Sequence, residues 1–208
     1  MIPTPCHGLY AITDALLISD DRLIHAVEQA ILGGARLIQY RDKSHDAARR
    51  LAQATALNEL CQRHAIPLII NDDVELAAQV GAAGVHVGKD DPVFASARAR
   101  LGKNAIIGVS CYDRLDLALE AAQAGADYVA FGALFPSPTK PTEIRAPIAL
   151  LRKARAALHI PIVAIGGITP DNAPLLLDVG ADALAVVSGV FGQPDIQAAA
   201  RRYANLFA

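Results

Sequence analysis

Two apolar runs in succession end in paired acids: Pro67-Leu68-Ile69-Ile70-Asn71-Asp72-Asp73 and Gly84-Val85-His86-Val87-Gly88-Lys89-Asp90-Asp91. Carboxylates are hard oxygen donors, and two of them about one strand spacing apart (~4.8 Å) can share a divalent cation. Both runs are short, rich in β-branched residues and bounded by turn formers, which fits strands buried on both faces of a parallel sheet. Consecutive parallel strands usually lie side by side, so Asp72 and Asp91 become the candidate metal ligands. The same acids could instead cap the helices that follow, because Asp accepts hydrogen bonds from the free N–H groups of a helix start. Repetition of the pattern at two successive strand exits favours the cation site.

Other strand exits are polar as well. In Gln39-Tyr40-Arg41-Asp42-Lys43, alternation sends Gln39, Arg41 and Lys43 to one side, and two cations with an amide suit a diphosphate and a heterocycle. Phe135-Pro136-Ser137-Pro138-Thr139-Lys140-Pro141-Thr142 is held extended by its prolines; Ser137 and Thr139 offer hydroxyls and Lys140 a point charge for phosphate oxygens. Ile165-Gly166-Gly167-Ile168-Thr169-Pro170 and Val186-Val187-Ser188-Gly189 let backbone N–H groups approach an anion closely. Ser110, after Gly108-Val109, adds a hydroxyl. Taken singly, these runs also read as a solvated charged loop, a proline-rich surface loop and ordinary turn glycines. Together they describe a cation site, a Lys/Arg cluster beside it and a separate glycine-lined phosphate site. Diphosphate bound to Mg2+ is a leaving group, so the reaction class is displacement of diphosphate by a second, monophosphorylated partner.

The elements that must position these residues alternate along the chain. Strands are expected at Leu9 to Thr13, Arg36 to Tyr40, Leu68 to Ile70, Gly84 to Val87, Ala105 to Val109, Tyr128 to Gly132, Ile162 to Ile165 and Ala183 to Val187, with amphipathic Ala-rich stretches between them. One helix is expected to open at Ser19 and run to Leu32 with Leu23, Val27 and Ala30 on one face; others start at Ser44-His45-Asp46, at Asp113 and at Thr169-Pro170-Asp171. Gly33-Gly34-Ala35, Gly81-Ala82-Ala83-Gly84, Gly125-Ala126-Asp127 and Gly180-Ala181-Asp182 each join a helix to the next strand. Eight such units make an α/β protein with a (β/α)8 TIM barrel, one domain over residues 1–208, with its active site at the carboxyl ends of the strands. An open doubly wound sheet would show a GxGxxG-type first turn, which is absent after Leu9 to Thr13.

Composition agrees. The 208 residues are 53% hydrophobic but only 5% aromatic, with no Trp, so Ala, Val, Ile and Leu build the core and suit close helix-on-sheet packing. A net charge of −2 gives no electrostatic reason to expect nucleic acid. With no basic leader and no apolar run of membrane-spanning length, a soluble cytoplasmic protein is expected. Cys6, Cys61 and Cys111 are widely spaced, outside any CxxC pattern, and read as reduced and structural. His86, inside a strand, reads as packed and hydrogen-bonded rather than catalytic. The oligomeric state, homo-oligomer included, stays open.

The six ordered motifs Gln39-Tyr40-Arg41-Asp42-Lys43, Asn71-Asp72-Asp73, Gly108-Val109-Ser110, Ser137-Pro138-Thr139-Lys140, Ile165-Gly166-Gly167-Ile168 and Val186-Val187-Ser188 closely resemble those of the thiamine-phosphate synthase (thiamine-phosphate pyrophosphorylase) family. The resemblance runs from Tyr10-Ala11-Ile12-Thr13-Asp14 to Val187-Ser188-Gly189. It implies a (β/α)8 barrel that joins 4-amino-2-methyl-5-hydroxymethylpyrimidine diphosphate to a thiazole phosphate or its carboxylated form. It also implies a dissociative reaction in which diphosphate would leave first and the thiazole nitrogen would capture the pyrimidine cation. By matching motif, Gln39, Tyr40, Arg41, Asp42, Lys43, Asn71, Ser110 and Lys140 would hold the pyrimidine diphosphate, with Arg41, Lys43, Ser110 and Lys140 acting on the departing group. Asp72 and Asp91 would bind Mg2+. Ser137, Pro138, Thr139, Gly167, Val187 and Ser188 would hold the thiazole phosphate. Two positions depart from the family pattern: Lys89 stands where Gln is usual, and Tyr112 where His is frequent. The sister family, thiazole tautomerase, uses a His near the latter position and commonly lacks the metal-binding acids, so the synthase is favoured. A silent phosphate-binding barrel would have lost some of Arg41, Lys43, Asp72 and Lys140, and all four are present.

Overall fold

The strands Gly8–Ile12 (β1), Ala35–Tyr40 (β2), Leu68–Asn71 (β3), Gly84–Val87 (β4), Ile106–Tyr112 (β5), Tyr128–Phe131 (β6), Ile162–Ile165 (β7) and Ala183–Val186 (β8) close into a barrel in chain order. Every neighbouring pair is parallel, and β1 pairs with β8 from Gly8 opposite Ala183 to Ala11 opposite Val186. This is a (β/α)8 TIM barrel. The computed structural model describes residues 6–88, 93–136 and 146–208. Around the barrel lie α1 (Leu23–Leu32), α2 (Ala47–Arg63), α3 (Val74–Val80), α4 (Val93–Leu101), α5 (Leu115–Gln123), α6 (Ile148–Ala157), α7 (Ala173–Leu177), α8 (Ser188–Phe191) and α9 (Ile196–Ala204). No helix among the described residues is long and apolar enough to cross a membrane.

The two-residue period of the strands sorts the apolar residues into two buried layers. Leu9, Ala11, Ile38, Tyr40, Ile70, Val85 and Val129 face the helices, where α1 buries Leu23, Ala26, Val27, Ala30 and Ile31. Tyr10, Ile12, Leu37, Ile69, Tyr128, Ala130, Val163 and Ala185 face the barrel axis. Cys61 and Cys111 lie in the outer layer and Cys6 in the inner one. Burial pushes all three thiols up to about 12, as inert structural cysteines require.

Two of the recurring Gly-Ala-Asp phrases form a clamp at the amino ends of the strands. Asp127 donates its N–H to Ile107 O (2.9 Å) while its Oδ2 accepts from Ile107 N (2.8 Å) and Arg98 Nη2 (2.7 Å). Asp182 repeats the arrangement on Ile162, at 2.8 Å and 2.7 Å, with Arg155 Nη1 at 2.9 Å. Each aspartate ties its own strand to the preceding one and holds a guanidinium from the helix layer.

Several boundaries differ from the sequence expectation. Strand β5 continues to Tyr112, with a register shift between Ser110 and Tyr112, so Cys111 lies within the strand. The next helix begins at Leu115 rather than Asp113, because Tyr112 takes a left-handed φ of 52° and Arg114 N turns back to Cys111 O (2.9 Å). A 3-10 turn at Asp20–Arg22 precedes α1, and Ser19 makes no side-chain cap there. Thr169 does not start a helix at Pro170. Thr169 N–H donates to Asn172 Oδ1 (2.9 Å) and Asn172 N–H to Thr169 Oγ1 (3.3 Å), and α7 opens only at Ala173 with a proline in its first turn.

The clamp can be tested by Asp182→Ala, which leaves the N–H of Ile162 and Nη1 of Arg155 without their acceptor, Nη2 keeping the carbonyls of Leu158 and Ile160. The expected cost is about 1–3 kcal/mol of unfolding free energy, read as a lower urea midpoint at unchanged slope; an unchanged midpoint would show that the clamp holds nothing.

Candidate active site at the carboxyl ends of the strands

A cavity of about 370 Å³ opens at the carboxyl ends of the strands. Its floor is apolar and built from small or branched residues, Ile12, Ala130, Val163 and Ala185. One wall carries Gln39, Arg41, Asn71, His86 and Ser110; the facing wall is Gly166, Gly167, Val187, Ser188 and Gly189. Gly166 and Gly167 have φ of 103° and 62°, and a Cβ on Gly167 would run into the carbonyls of Phe135 and Pro136. Only glycine lets the β7 exit fold this tightly and present backbone to the cavity.

Alternation divides the 39–43 motif between two environments. Gln39, 2% exposed, points to the axis and donates from Nε2 to Tyr10 Oη (2.6 Å). Arg41 lies on the cavity wall, with Nη1 3.1 Å from Asp14 Oδ2 and its backbone N–H 3.0 Å from Thr13 Oγ1. Tyr40 and Asp42 face α2 instead. Tyr40 donates to Gln53 Oε1 (2.8 Å), and Asp42 accepts from Ser44 N (2.7 Å) and Arg49 Nη2 (2.8 Å). They hold the β2 exit loop from behind; neither lines this cavity, while Asp42 borders the open hollow next to it.

Beyond Asn71 the cavity adjoins an open hollow of about 510 Å³ bordered by Lys43, Arg50, Asp72 and Asp73. The consecutive acids have separate tasks. Asp73 caps α3, accepting at Oδ1 from Leu76 N (2.9 Å) and at Oδ2 from Arg50 Nη2 (2.7 Å). Helix capping, one of the two roles the sequence allows these acids, therefore holds for this residue. Asp72 takes a left-handed φ of 61°, which turns its carboxylate away from the helix and toward Lys43, with which it forms an ion pair; Asn71 Nδ2 donates to the same oxygen (2.8 Å). Both members of that pair are well exposed, Lys43 by 58% and Asp72 by 43% of their side chains. Asp91, Ser137, Pro138, Thr139, Lys140 and the Lys89 departure lie outside the described residues.

His86 is packed and hydrogen-bonded, and it also lines the cavity. Its ring stacks on Tyr128 at 5.5 Å and 18°, with Nδ1 2.9 Å from Tyr128 Oη and Nε2 2.8 Å from Ser110 Oγ. Burial pulls its pKa down to about 4, outweighing the opposing charge of Asp72, so the ring is neutral near pH 7. Tyr128 and Tyr10 meet edge to face at 6.0 Å, with hydroxyls 2.9 Å apart. Sequence reasoning gives no part in the site to Tyr10, Tyr128 or the Thr13-Asp14 pair. The signal that could find them is parity: in runs that read as strands, both tyrosines occupy axis-facing positions, and Thr13-Asp14 follows β1 as the other polar residues follow their strands. Tyr112 reaches the cavity edge.

Fold and site together define a (β/α)8-barrel enzyme whose ligand pocket is formed by strand exits, with glycine-lined backbone at the seventh and eighth. Residues 9–190 match the family model for thiamine monophosphate synthase. The thiamine-phosphate synthase of Thioalkalivibrio sulfidiphilus is 56% identical over 200 residues, 96% of this chain and 95% of that protein. That of Nitrosococcus oceani is also 56% identical over 200 residues, covering 96% and 92%. The solved thiamine phosphate pyrophosphorylase of Pyrococcus furiosus superposes with a TM-score of 0.88 at 35% identity, covering 98% of this chain and 96% of that one. The chain belongs to the thiamine monophosphate synthase family and is a transferase of thiamine biosynthesis.

The division of labour between the two acids predicts opposite stabilities. Asp73→Ala should lose about 1 kcal/mol or more through the missing cap, whereas Asp72→Gly should cost nothing, since glycine accepts the positive φ without strain. Chemical denaturation of both variants reads the difference. Gly108→Ala should lower stability by about 1–3 kcal/mol or more, because its Cβ would overlap the Tyr128 ring.

Proposed function

We propose that the chain makes thiamine phosphate from 4-amino-2-methyl-5-hydroxymethylpyrimidine diphosphate and a thiazole phosphate, or its carboxylated form, with release of diphosphate. The observation that carries this reading is a cavity and its adjoining hollow, which together offer two unlike ends suited to anions. One end is the glycine-lined backbone of Gly166, Gly167, Val187 and Ser188; the other is the wall of Arg41, Asn71 and Ser110, which continues through Asn71 to Lys43 and Asp72. Other features agree: family membership, an apolar floor for a heterocycle, and hydroxyl and amide groups on the wall.

In this reading Gln39, Asn71 and Ser110 orient the pyrimidine and its diphosphate, and Arg41, Lys43 and Lys140 take up charge as the methylene C–O bond breaks. The bonding electrons leave with diphosphate, and the thiazole nitrogen supplies the pair for the new C–N bond. Cations placed where that charge grows stabilise the transition state more than the ground state. Gly167, Val187, Ser188 and the 137–139 segment hold the thiazole phosphate, which sets the attacking nitrogen against the carbon. Tyr40 and Asp42 act from behind, fixing the loop that carries Arg41 and Lys43. The exposed Asp72 carboxylate, with the Asn71 side chain beside it, has the oxygen chemistry a hard cation needs, and the ammonium of Lys43 is a partner that a cation can replace. Asp72 and Asp91 would hold Mg2+, which when bound neutralises charge on the diphosphate. Polar small molecules handled this way suit a cytoplasmic enzyme.

The test is to incubate the purified protein with both substrates and Mg2+ and to follow thiamine phosphate and diphosphate together, with and without a chelator. Equimolar, metal-dependent appearance of both is expected. Folded protein that binds a thiazole phosphate but forms neither product would point to a tautomerase or a silent binder. Asp72→Gly, which the positive φ accommodates, should fold normally and lose about 100-fold or more in metal-dependent turnover; full activity would remove Asp72 from the metal site.

A further inference from the structure

Five side chains from five strands form one unbranched hydrogen-bond chain beneath the cavity. Gln39 (β2) bonds Tyr10 (β1) at 2.6 Å, Tyr10 bonds Tyr128 (β6) at 2.9 Å, Tyr128 bonds His86 Nδ1 (β4) at 2.9 Å, and His86 Nε2 bonds Ser110 (β5) at 2.8 Å. Its direction follows from the donors. As its amide is assigned, Gln39 turns its nitrogen toward Tyr10, and with that assignment the Tyr10 oxygen accepts. The single phenolic proton of Tyr10 then has Tyr128 as its acceptor, and the proton of Tyr128 has His86 Nδ1. A neutral imidazole with an accepting Nδ1 carries its proton on Nε2 and donates it to Ser110 Oγ. In the reverse order the Tyr10 proton would face an N–H, and Tyr10 is 1% exposed, so it would be a buried donor without an acceptor.

We propose that this relay makes Tyr10, Tyr128 and His86 positioning residues that turn Ser110 into an obligate hydrogen-bond donor toward the cavity, selecting a ligand that places a lone pair there. The identity of that ligand as the pyrimidine diphosphate rests on the function proposed above; the direction of the relay does not. His86 occupies both ring nitrogens within the relay, so it is not the base that receives a proton from a ligand. Its task is to keep the Ser110 hydroxyl proton uncommitted. A site that must accept an acceptor group gains discrimination from this, because a ligand presenting an N–H at the same place would meet a second donor.

The first readout needs no turnover. In the full chain labelled with 15N-histidine, the His86 resonances, assigned by their loss in His86→Gln, should show the proton on Nε2. A proton on Nδ1 would mean that Ser110 donates to His86, and would overturn the proposal. In Tyr128→Phe the Nε2–H form should give way to a mixture containing Nδ1–H, and an unchanged tautomer would remove the phenol from the relay. Kinetically, Tyr128→Phe should lower kcat for thiamine phosphate formation by about 3- to 10-fold with KM changed by less than about 2-fold. Placed on Ser110→Ala, the same substitution should add less than about 2-fold, because its effect passes through the serine. An equal loss in both backgrounds would show that Tyr128 acts otherwise. Absence of any thiamine phosphate would defeat the substrate assignment alone, since the tautomer is still read from the resting protein.

Discussion

Two phenols fill the barrel axis, and they can lie there because Gly108 has no side chain. A Cβ at that position would fall inside the Tyr128 ring. Apart from Cys6, the apolar residues packed with them on the axis are Ala, Val, Ile and Leu, and the two tyrosines are the largest side chains among them. Having brought two hydroxyls into a water-poor core, the barrel must satisfy both, since an unpaired buried hydroxyl costs more than an ordinary hydrogen bond returns. Their mutual bond, with Gln39 at one end and His86 at the other, meets that requirement. The polar wall of the cavity is thus anchored to the core, and small Ala130 and Ala185 leave the space above it empty for a ligand.

Charge at the mouth is arranged by the same economy. Arg41 has Asp14, which is 5% exposed, and Lys43 has Asp72. Two bare cations on one wall would repel each other and draw in counterions; each with its own carboxylate can stand ready without that cost. The partners differ in permanence. Asp14 is buried and also accepts from Leu16 N (2.9 Å), so it fixes the guanidinium, whereas the Lys43 and Asp72 pair is exposed and exchanges readily with ions in solution.

Most of what residue order alone discloses comes from alternation. It places Gln39 and Arg41 on the axis side, and the helix-strand repeat gives the barrel, because a period of two and the length of a crossover are local properties of the chain. Tyr40 and Asp42 show where motif reading stops: they share an unbroken motif with their neighbours, yet parity turns them onto α2. The adjacent Asp72 and Asp73 mark a second limit. Their types are identical, and only a left-handed φ at the first separates a carboxylate facing the open hollow from a helix cap. Aspartate visits that φ more readily than most residues, but residue type does not say which of the two adopts it. The tyrosine pair on the axis is hidden for another reason. Each tyrosine alone is an ordinary strand residue, and the bond between residues 10 and 128 exists only once the barrel closes.

Closure also explains why selectivity in this site is a short-range matter. A protein with a net charge of −2, whose described mouth cations are each matched by an acid, casts little field to steer an anion from a distance. Discrimination then depends on what a ligand finds after arrival: donors fixed by strands, backbone fixed by glycines, and a floor of set depth. Rigid elements hold such groups more closely than loops do. Gln39, His86 and Ser110 are all strand residues tied to one another through the core, so a displacement of any one is resisted by the whole barrel. The cations lie farther out, on the exits, Arg41 held by buried Asp14 and Lys43 in an exposed pair. The fold therefore separates the polar groups built into the sheet from the ion pairs left to the rim.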